Sequence, residues 1–425
     1  MQKFIINGRK PLSGTIRVAG DKNTALKVIP ACVLVPGKVT LTNVPAIQDV
    51  RVMLDLVKAL GGTVEASADG HEVVLSTDGI SKSVLPDELV KKVRASSLFA
   101  GPMLARFGEV TLRHPGGDAI GERPLDLLVD GLTQLGAKVE KTDRTYHLKA
   151  KKLHGGRFVF RKVSVTVTEN LMLAAVLAEG KTELVNAAME PGVISLADFL
   201  NKRGARIEGA GSPTITITGV DKLHAVEDSF AIIPDRIEAG TFACLAAASK
   251  SAIEITDCDT SHMEVFLKNL ELIGVPFETT PTSIKIKKAK KLNAIEVVTH
   301  EYPGFATDYQ APMTVLLTQA EGNSLIHETI FEARLFYTDK LKQMGAKIIM
   351  ADPHRVIVTG PSLLRGRKIV SPDIRAGVGL LIAGLIAEGQ TTIGNIYQID
   401  RGYEAIDQRL QALGADIKRV ETDFF

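Results

Sequence analysis

Tryptophan is absent from this sequence, and aromatic residues make up only 5% of it. A chain so poor in stacking platforms is a weak candidate for binding single-stranded nucleic acid. Cysteine is scarce: Cys32, Cys244 and Cys258 stand far apart, with no C-x-x-C pair. An odd, scattered count excludes a disulfide framework and fits buried thiols in a reducing compartment. Charge of one sign is not in excess, since 51 basic residues face 49 acidic ones. That leaves no electrostatic footprint for DNA or for an anionic membrane. The nine histidines include no H-E-x-x-H, because His71-Glu72 and His327-Glu328 begin the pattern without finishing it. No zinc or other metal site is expected. No apolar run is long enough to span a bilayer, the longest lying near Gly377 to Ala387. The first residues, Met1 to Gly8, read as a strand and turn without the apolar core of an export signal. A cytoplasmic location is the expectation.

What remains is an ordinary globular composition, 45% hydrophobic and 24% charged. At 425 residues the chain is long enough for two or three domains. The 37 glycines are not scattered at random, because six of them mark a repeat. The phrase is a residue closing an apolar stretch, then Gly, then usually a small residue and a strand-like run. It reads Leu60-Gly61-Gly62-Thr63-Val64, Leu135-Gly136-Ala137-Lys138-Val139 and Arg203-Gly204-Ala205-Arg206-Ile207. It returns as Ile273-Gly274-Val275-Pro276-Phe277, Met344-Gly345-Ala346-Lys347-Ile348 and Leu413-Gly414-Ala415-Asp416-Ile417. Before Gly61, apolar residues at Val50, Met53, Leu54, Val57 and Leu60 line one helical face. The glycine is then a helix C-cap in the left-handed conformation. A second helix in several units ends in a similar phrase, at Gly180, Gly322 and Gly389. Each unit of about 70 residues is therefore read as helix, strand, helix and strands. Six such units suggest an α/β protein of two domains with three units each. The repeat alone specifies a scaffold and no chemistry.

Candidate anion-binding residues sit at turns. Gly20-Asp21-Lys22-Asn23-Thr24 opens an apolar helix, where free amides and Lys22 can hold an anion, although the same phrase serves as a plain N-cap. The stretch from Gly116 to Pro124 is a polar loop with an acid, Asp118, five residues before Arg123. It can close over a ligand and carry the acid into place, or it can be a surface loop. Arg334, Arg375 and Arg401 each have an acid nearby in sequence: Glu332, Asp373 and Asp400. Those acids can pin the guanidinium forks for bidentate anion binding, or form ordinary surface ion pairs. Neither the phosphate-loop pattern G-x-x-x-x-G-K-[ST] nor the dinucleotide pattern G-x-G-x-x-G occurs.

With these residues in view, the chain resembles the enolpyruvyl transferases almost end to end. The likeness runs through Lys22-Asn23, Val93-Arg94-Ala95-Ser96, the 116–124 loop, Lys162-Val163-Ser164-Val165 and Glu169-Asn170-Leu171-Met172. It continues through Pro234-Asp235-Arg236-Ile237-Glu238, Tyr302-Pro303-Gly304-Phe305 with Thr307-Asp308, Asp373-Ile374-Arg375-Ala376 and Ile399-Asp400-Arg401-Gly402-Tyr403. The resemblance is nearest to the branch whose acceptor is UDP-N-acetylglucosamine. It implies a two-domain inside-out α/β barrel, with helices packed inside and sheets outside. It also implies that residues 22–233 form one domain and that 1–21 with 234–425 form the other. Substrates are then expected in a cleft between them. The implied reaction moves enolpyruvate from phosphoenolpyruvate to the sugar 3-hydroxyl, releases phosphate, and begins peptidoglycan precursor synthesis. The expected partners are these two small molecules, with no nucleic acid, no membrane, no cofactor and no metal.

The family's roles carry over position by position. Lys22, Arg123 and Arg401 would hold phosphate, and Arg334 and Arg375 the carboxylate and the closed state. Asp308 would take or orient the hydroxyl proton, and Asn23 would orient the sugar. Arg94, Arg123, Pro124, Leu125, Asp126, Leu127, Lys162, Val163, Ser164, Val165, Asp308 and Ile330 match the sugar-nucleotide contacts. The usual loop Cys is replaced by Asp118, which would then be the acid that protonates carbon. Other departures are Thr166-Val167 for Gly-Ala, Gly192 for the second Glu of Glu-Pro-Glu, Asp21 for Ala and Leu128 for His. Asp21 is expected to damp the charge of Lys22, and Thr166 to crowd a diphosphate. Two alternatives stay open: a relative using another acceptor such as shikimate 3-phosphate, and a sugar-nucleotide-binding paralogue without turnover. The family's usual Lys-Ser for the shikimate branch is Lys22-Asn23 here.

Overall fold

The computed structural model describes residues 2–117, 120–121, 125–142 and 145–421. The repeat seen in the sequence is present in the backbone. All six repeat glycines have positive φ, from 86° at Gly274 to 113° at Gly61. An L side chain resists that region, so glycine ends each helix at no steric cost. Helix Gln48–Leu60 shows the device, with the Gly61 N–H donating to the Lys58 carbonyl at 3.0 Å. Gly180, Gly322 and Gly389 also have positive φ.

A strand follows each repeat glycine. Thr63–Ala66, Lys138–Lys141, Arg206–Glu208, Phe277–Thr280 and Lys347–Asp352 each pair antiparallel with the next strand in the chain. The last, Asp416–Glu421, is followed by no strand among the described residues. It pairs with Gln2–Asn7 from the chain's start, Ile5 facing Lys418 on one side and Thr392 on the other. Among the described residues there are six sheets, five of four strands and one of three. In the three-stranded sheet, an isolated parallel bridge from Val84 to Thr111 stands where the others carry a short parallel strand.

The chain gathers into two compact units: Gly20–Gly117 with Glu122–Ile233, and Met1–Ala19 with Asp118–Gly121 and Pro234–Phe425. Each has its own hydrophobic core. In the second unit, helices Arg236–Ala248 and Ile374–Ile386 bury all but one of their residues, and Gln310–Leu317 buries all of them. A helix apolar all round belongs inside. Ile374–Ile386 contains the longest apolar run, and among the described residues no helix is long and apolar enough to cross a membrane. Close approach between inner helices depends on glycine, since a Cβ on Gly379 would lie 3.2 Å from the Ala311 backbone and side chain. Outer helices are one-sided: Glu264–Ile273 buries only Phe266, Leu270 and Ile273. Strands alternate in the same sense, with Phe4 and Ile6 buried and their neighbours partly open. Each such Leu, Ile or Phe contributes roughly 1.5–3 kcal/mol on full burial. The architecture is thus an α/β barrel turned inside out, with helices in the core and sheets outside.

Candidate active site

The first unit assembles one group of the nominated residues. Helix Lys22–Ala31 begins at the Lys-Asn phrase. Its N-cap is Asp21, whose carboxylate accepts the Thr24 N–H at 3.0 Å. Asp21 therefore serves the backbone, and the carboxylate that meets Lys22 is Asp49. Asp49 lies in the first turn of helix Gln48–Leu60, with its Oδ2 2.9 Å from the Lys22 ammonium. Both are buried, so this pair is far less screened than a surface one. Asn23 is exposed beside them.

Helix Val165–Ala175 starts in the same unit, capped by Ser164, whose Oγ accepts the Val167 N–H at 3.4 Å. Lys162 is exposed, and Val163, Val165 and Thr166 are half-buried. Arg94 is half-buried at the start of the turn Arg94–Phe99. Leu125 and Leu128 are buried, Leu127 is half-buried, and Asp126 is exposed with Lys141 at 3.8 Å. Two helix N-termini, Lys22, Arg94 and Lys162 give this unit the donors and charge that an anionic ligand requires. Asp118, Arg123 and Pro124 lie outside the described residues.

The second unit assembles the other group around Asp308. This residue lies on the single turn Thr307–Tyr309, which runs into the inner helix Gln310–Leu317. Its Oδ1 accepts from Arg334 Nη2 at 2.8 Å. Its Oδ2 accepts from Arg375 Nε at 3.0 Å and lies 2.9 Å from Nη2. Arg375 reaches it from the first turn of helix Ile374–Ile386, whose N-cap Asp373 accepts the Arg375 and Ala376 amides at 2.9 Å each. Arg375 Nη1 donates to the Tyr403 hydroxyl at 3.0 Å, which is 2.9 Å from Thr241 Oγ1. Burial works against the Arg375 charge, but Asp308 and then Tyr403 outweigh it, and the guanidinium pKa rises well above its ordinary value. Burial also pushes the Tyr403 hydroxyl up to about 12, so it stays neutral.

Arg334, Arg375 and Arg401 are 6%, 4% and 5% exposed, so none belongs to an ordinary surface pair. The acids nearest in sequence are not what holds them. Asp373 caps a helix, and Asp400 binds Arg419 at 2.7 and 2.8 Å. Glu332 is exposed. Arg401 donates to Gln398 Oε1 at 2.8 Å. Ile330 is half-buried three residues before Ala333, whose N–H donates to the Ile120 carbonyl at 3.2 Å.

Sequence reasoning missed Glu328, treating His327-Glu328 only as an unfinished zinc motif. Glu328 is fully buried. Its carboxylate accepts from Thr307 at 2.8 Å, Thr299 at 3.2 Å, and the Ile330 and Phe331 amides at 2.9 and 3.2 Å. It thereby fixes both the turn that carries Asp308 and the segment that leads to Arg334. Asp49 was missed too, because it is distant from Lys22 in sequence and only the packing of two helices brings them together.

Known proteins resemble this chain along nearly its whole length. A family model described as EPSP synthase (3-phosphoshikimate 1-carboxyvinyltransferase) matches residues 6–410. The chain is 43% identical over 420 residues to UDP-N-acetylglucosamine 1-carboxyvinyltransferase 2 of Listeria monocytogenes, covering 99% of this chain and 98% of that one. It is 44% identical over 423 residues to UDP-N-acetylglucosamine 1-carboxyvinyltransferase of Solibacter usitatus, covering 99% and 100%. Among solved structures, the enolpyruvyl transferase NikO from Streptomyces tendae aligns with a TM-score of 0.89 at 24% identity, over 99% of both chains. EPSP synthase from Acinetobacter baumannii aligns at 0.75 with 19% identity, over 99% and 100%. At those identities the two structures speak for the fold.

Proposed function

The chain belongs to the enolpyruvyl transferase family, and from that membership we propose that it transfers enolpyruvate from phosphoenolpyruvate to the 3-hydroxyl of UDP-N-acetylglucosamine, releasing phosphate. The observation that carries the chemistry is the Asp308 carboxylate seated between two buried arginines. Its position is then set by the protein and not by solvent, as a base or orienting group requires. The acceptor is chosen from the full-length relatives, which are named for it.

The reaction adds and then eliminates. The sugar oxygen bonds to C2 of phosphoenolpyruvate as its proton leaves toward Asp308, and a proton from Asp118 goes to C3. The tetrahedral adduct then gives a proton from C3 back to the Asp118 carboxylate and expels phosphate, which leaves with the proton held by Asp308, and the double bond is restored. Lys22, Arg123 and Arg401 take the phosphate charge, while Arg334 and Arg375 take the carboxylate. Lys22 in its pair with Asp49 presents a localised charge, and Arg375 presents a fixed fork. Arg94, Lys162 to Val165, Leu125 to Leu127 and Ile330 contact the sugar nucleotide, and Asn23 orients it. The product enters peptidoglycan precursor synthesis, and the protein works in the cytoplasm. Its three cysteines are free and buried, as a reducing compartment favours.

The test is phosphate release from phosphoenolpyruvate with UDP-N-acetylglucosamine or shikimate 3-phosphate offered separately. Release with the sugar nucleotide alone is expected. Release with shikimate 3-phosphate alone moves the acceptor to the other branch. A folded protein that binds the sugar nucleotide and releases no phosphate with either acceptor is the paralogue without turnover.

A further inference from the structure

Lys27 stands little more than one turn below Lys22 on helix Lys22–Ala31, and only 2% of it is exposed. Its ammonium is ion-paired with Glu169, also 2% exposed, on helix Val165–Ala175. A third helix, Pro191–Asn201, contributes Gly192, and the space that Gly192 leaves is where the ammonium lies. A Cβ at Gly192 would stand 2.6 Å from Lys27 Nζ and 3.0 Å from Thr24 Oγ1. Gly192 does not have a left-handed φ, so room rather than backbone conformation calls for glycine. Alanine would otherwise be the better helix former. Thr24 Oγ1 and Glu190 Oε2 are buried without a hydrogen-bond partner, and Glu169 Oε1 is held by its ion pair with Lys27 alone.

The charges that face the pair are known from each element packed there. Asp21 and Lys22 lie on Lys27's own helix and its cap, Asp49 on Gln48–Leu60 holds Lys22, and Glu190 immediately precedes Pro191–Asn201. Burial raises the Glu169 carboxyl to about 7, against the pull of Lys27, with Glu190 and Asp21 pushing the same way as burial. A buried ion pair is a poor source of net stability, because apolar side chains of similar size do as well. What it does supply is a fixed separation between the elements it joins. Those elements begin with Lys22-Asn23 and with Ser164-Val165.

We propose that Lys27, held by Glu169 in the space left by Gly192, is a positioning residue that sets the N-terminal turns presenting Lys22, Asn23, Ser164 and Val165 to the sugar nucleotide. The inference rests on the acceptor assigned above.

Lys27→Met alone leaves Glu169 buried without its partner and is expected to fold poorly. The paired variant Lys27→Met with Glu169→Gln removes both charges at nearly constant volume and keeps the fold, checked by its thermal midpoint. UDP-N-acetylglucosamine binding is measured by titration calorimetry at about pH 8, above the raised pKa of the Glu169 carboxyl. The paired variant is expected to bind it roughly ten-fold more weakly, with the KM for phosphoenolpyruvate changed less than about two-fold. Gly192→Ala in the wild-type background pushes on the ammonium and weakens binding in the same way. Added to the paired variant its effect on binding is smaller than in the wild type, because the ammonium it meets at 2.6 Å is gone while Thr24 Oγ1 at 3.0 Å remains. A folded paired variant with wild-type affinity, or a Gly192→Ala effect that simply adds to it, overturns the proposal. A wild-type protein that does not bind UDP-N-acetylglucosamine overturns the acceptor assignment itself, which is a different result from wild-type binding that the variants leave unchanged.

Discussion

Arg375 grips one oxygen of Asp308 through two nitrogens, Nε at 3.0 Å and Nη2 at 2.9 Å, although the two residues are 67 positions apart. Arg334 takes the other oxygen at 2.8 Å. Asp308→Asn keeps the shape and removes the charge that both guanidiniums need. It is expected to lower kcat by about 10²–10⁴-fold, the usual range for losing a positioned proton acceptor. It is also expected to cost on the order of 2 kcal/mol of stability, since two buried cations lose their counter-charge. Steady-state kinetics with urea unfolding checks both, and near-wild-type kcat would remove Asp308 from the mechanism. Arg375→Lys keeps the charge but loses the fork, and should recover little activity.

Glu328 acts at one remove from the chemistry. Glu328→Ala removes four hydrogen bonds from a fully buried site and is expected to cost roughly 3 kcal/mol or more. Glu328→Gln keeps one accepting oxygen and should retain more activity than the alanine form. Equal loss in both variants at a temperature where both remain folded would show that the carboxylate shape does not matter.

As the proposed general acid, Asp118 would set the alkaline limb of the pH–rate profile. A carboxylic acid protonates carbon only while it holds its proton, so activity should favour a more acidic range than a thiol acid would. Asp118→Cys is therefore expected to extend activity toward alkaline pH. A profile unchanged by the substitution counts against Asp118 as the acid.

The same residue bears on inhibition. The resemblance implies that the epoxide antibiotic fosfomycin would alkylate a thiolate at the loop position, and a carboxylate is the poorer nucleophile. Wild-type protein should resist time-dependent inactivation, and Asp118→Cys should gain it. Intact-mass measurement of the adduct decides the matter.

Glu169 makes stability depend on pH in a stated direction. Burial lifts its carboxyl from 4.5 to about 7, outweighing Lys27. Between those values the folded protein holds a proton that the unfolded chain has lost. Its contribution therefore falls as pH rises through that window and is constant outside it. The thermal midpoint of Glu169→Gln minus that of wild type should rise across the window and level off above it. A flat difference would show that the carboxyl is not shifted.

Much of the fold was legible because its signals are local. A left-handed residue ends a helix wherever it occurs, so Gly61, Gly136, Gly204, Gly274, Gly345 and Gly414 announced six units before any contact was known. The cap at Ser164 acts within one helical turn and is equally readable. In sequence, Arg334, Arg375 and Arg401 read as anion-binding groups or as surface pairs; their burial excludes the surface pair, and their partners were not legible. Asp373 and Asp400, near Arg375 and Arg401 in sequence, cap a helix and bind Arg419.

The repeat, the helix ends and the inner apolar helices are therefore properties of the chain itself, because each depends on backbone conformation and periodicity over a few residues. Which carboxylate meets which cation is not. Asp308 with Arg334 and Arg375, Asp49 with Lys22, and Glu169 with Lys27 each join separate helices or turns. Their distances come from how those elements pack, and a buried charge must take the partner that packing brings within reach.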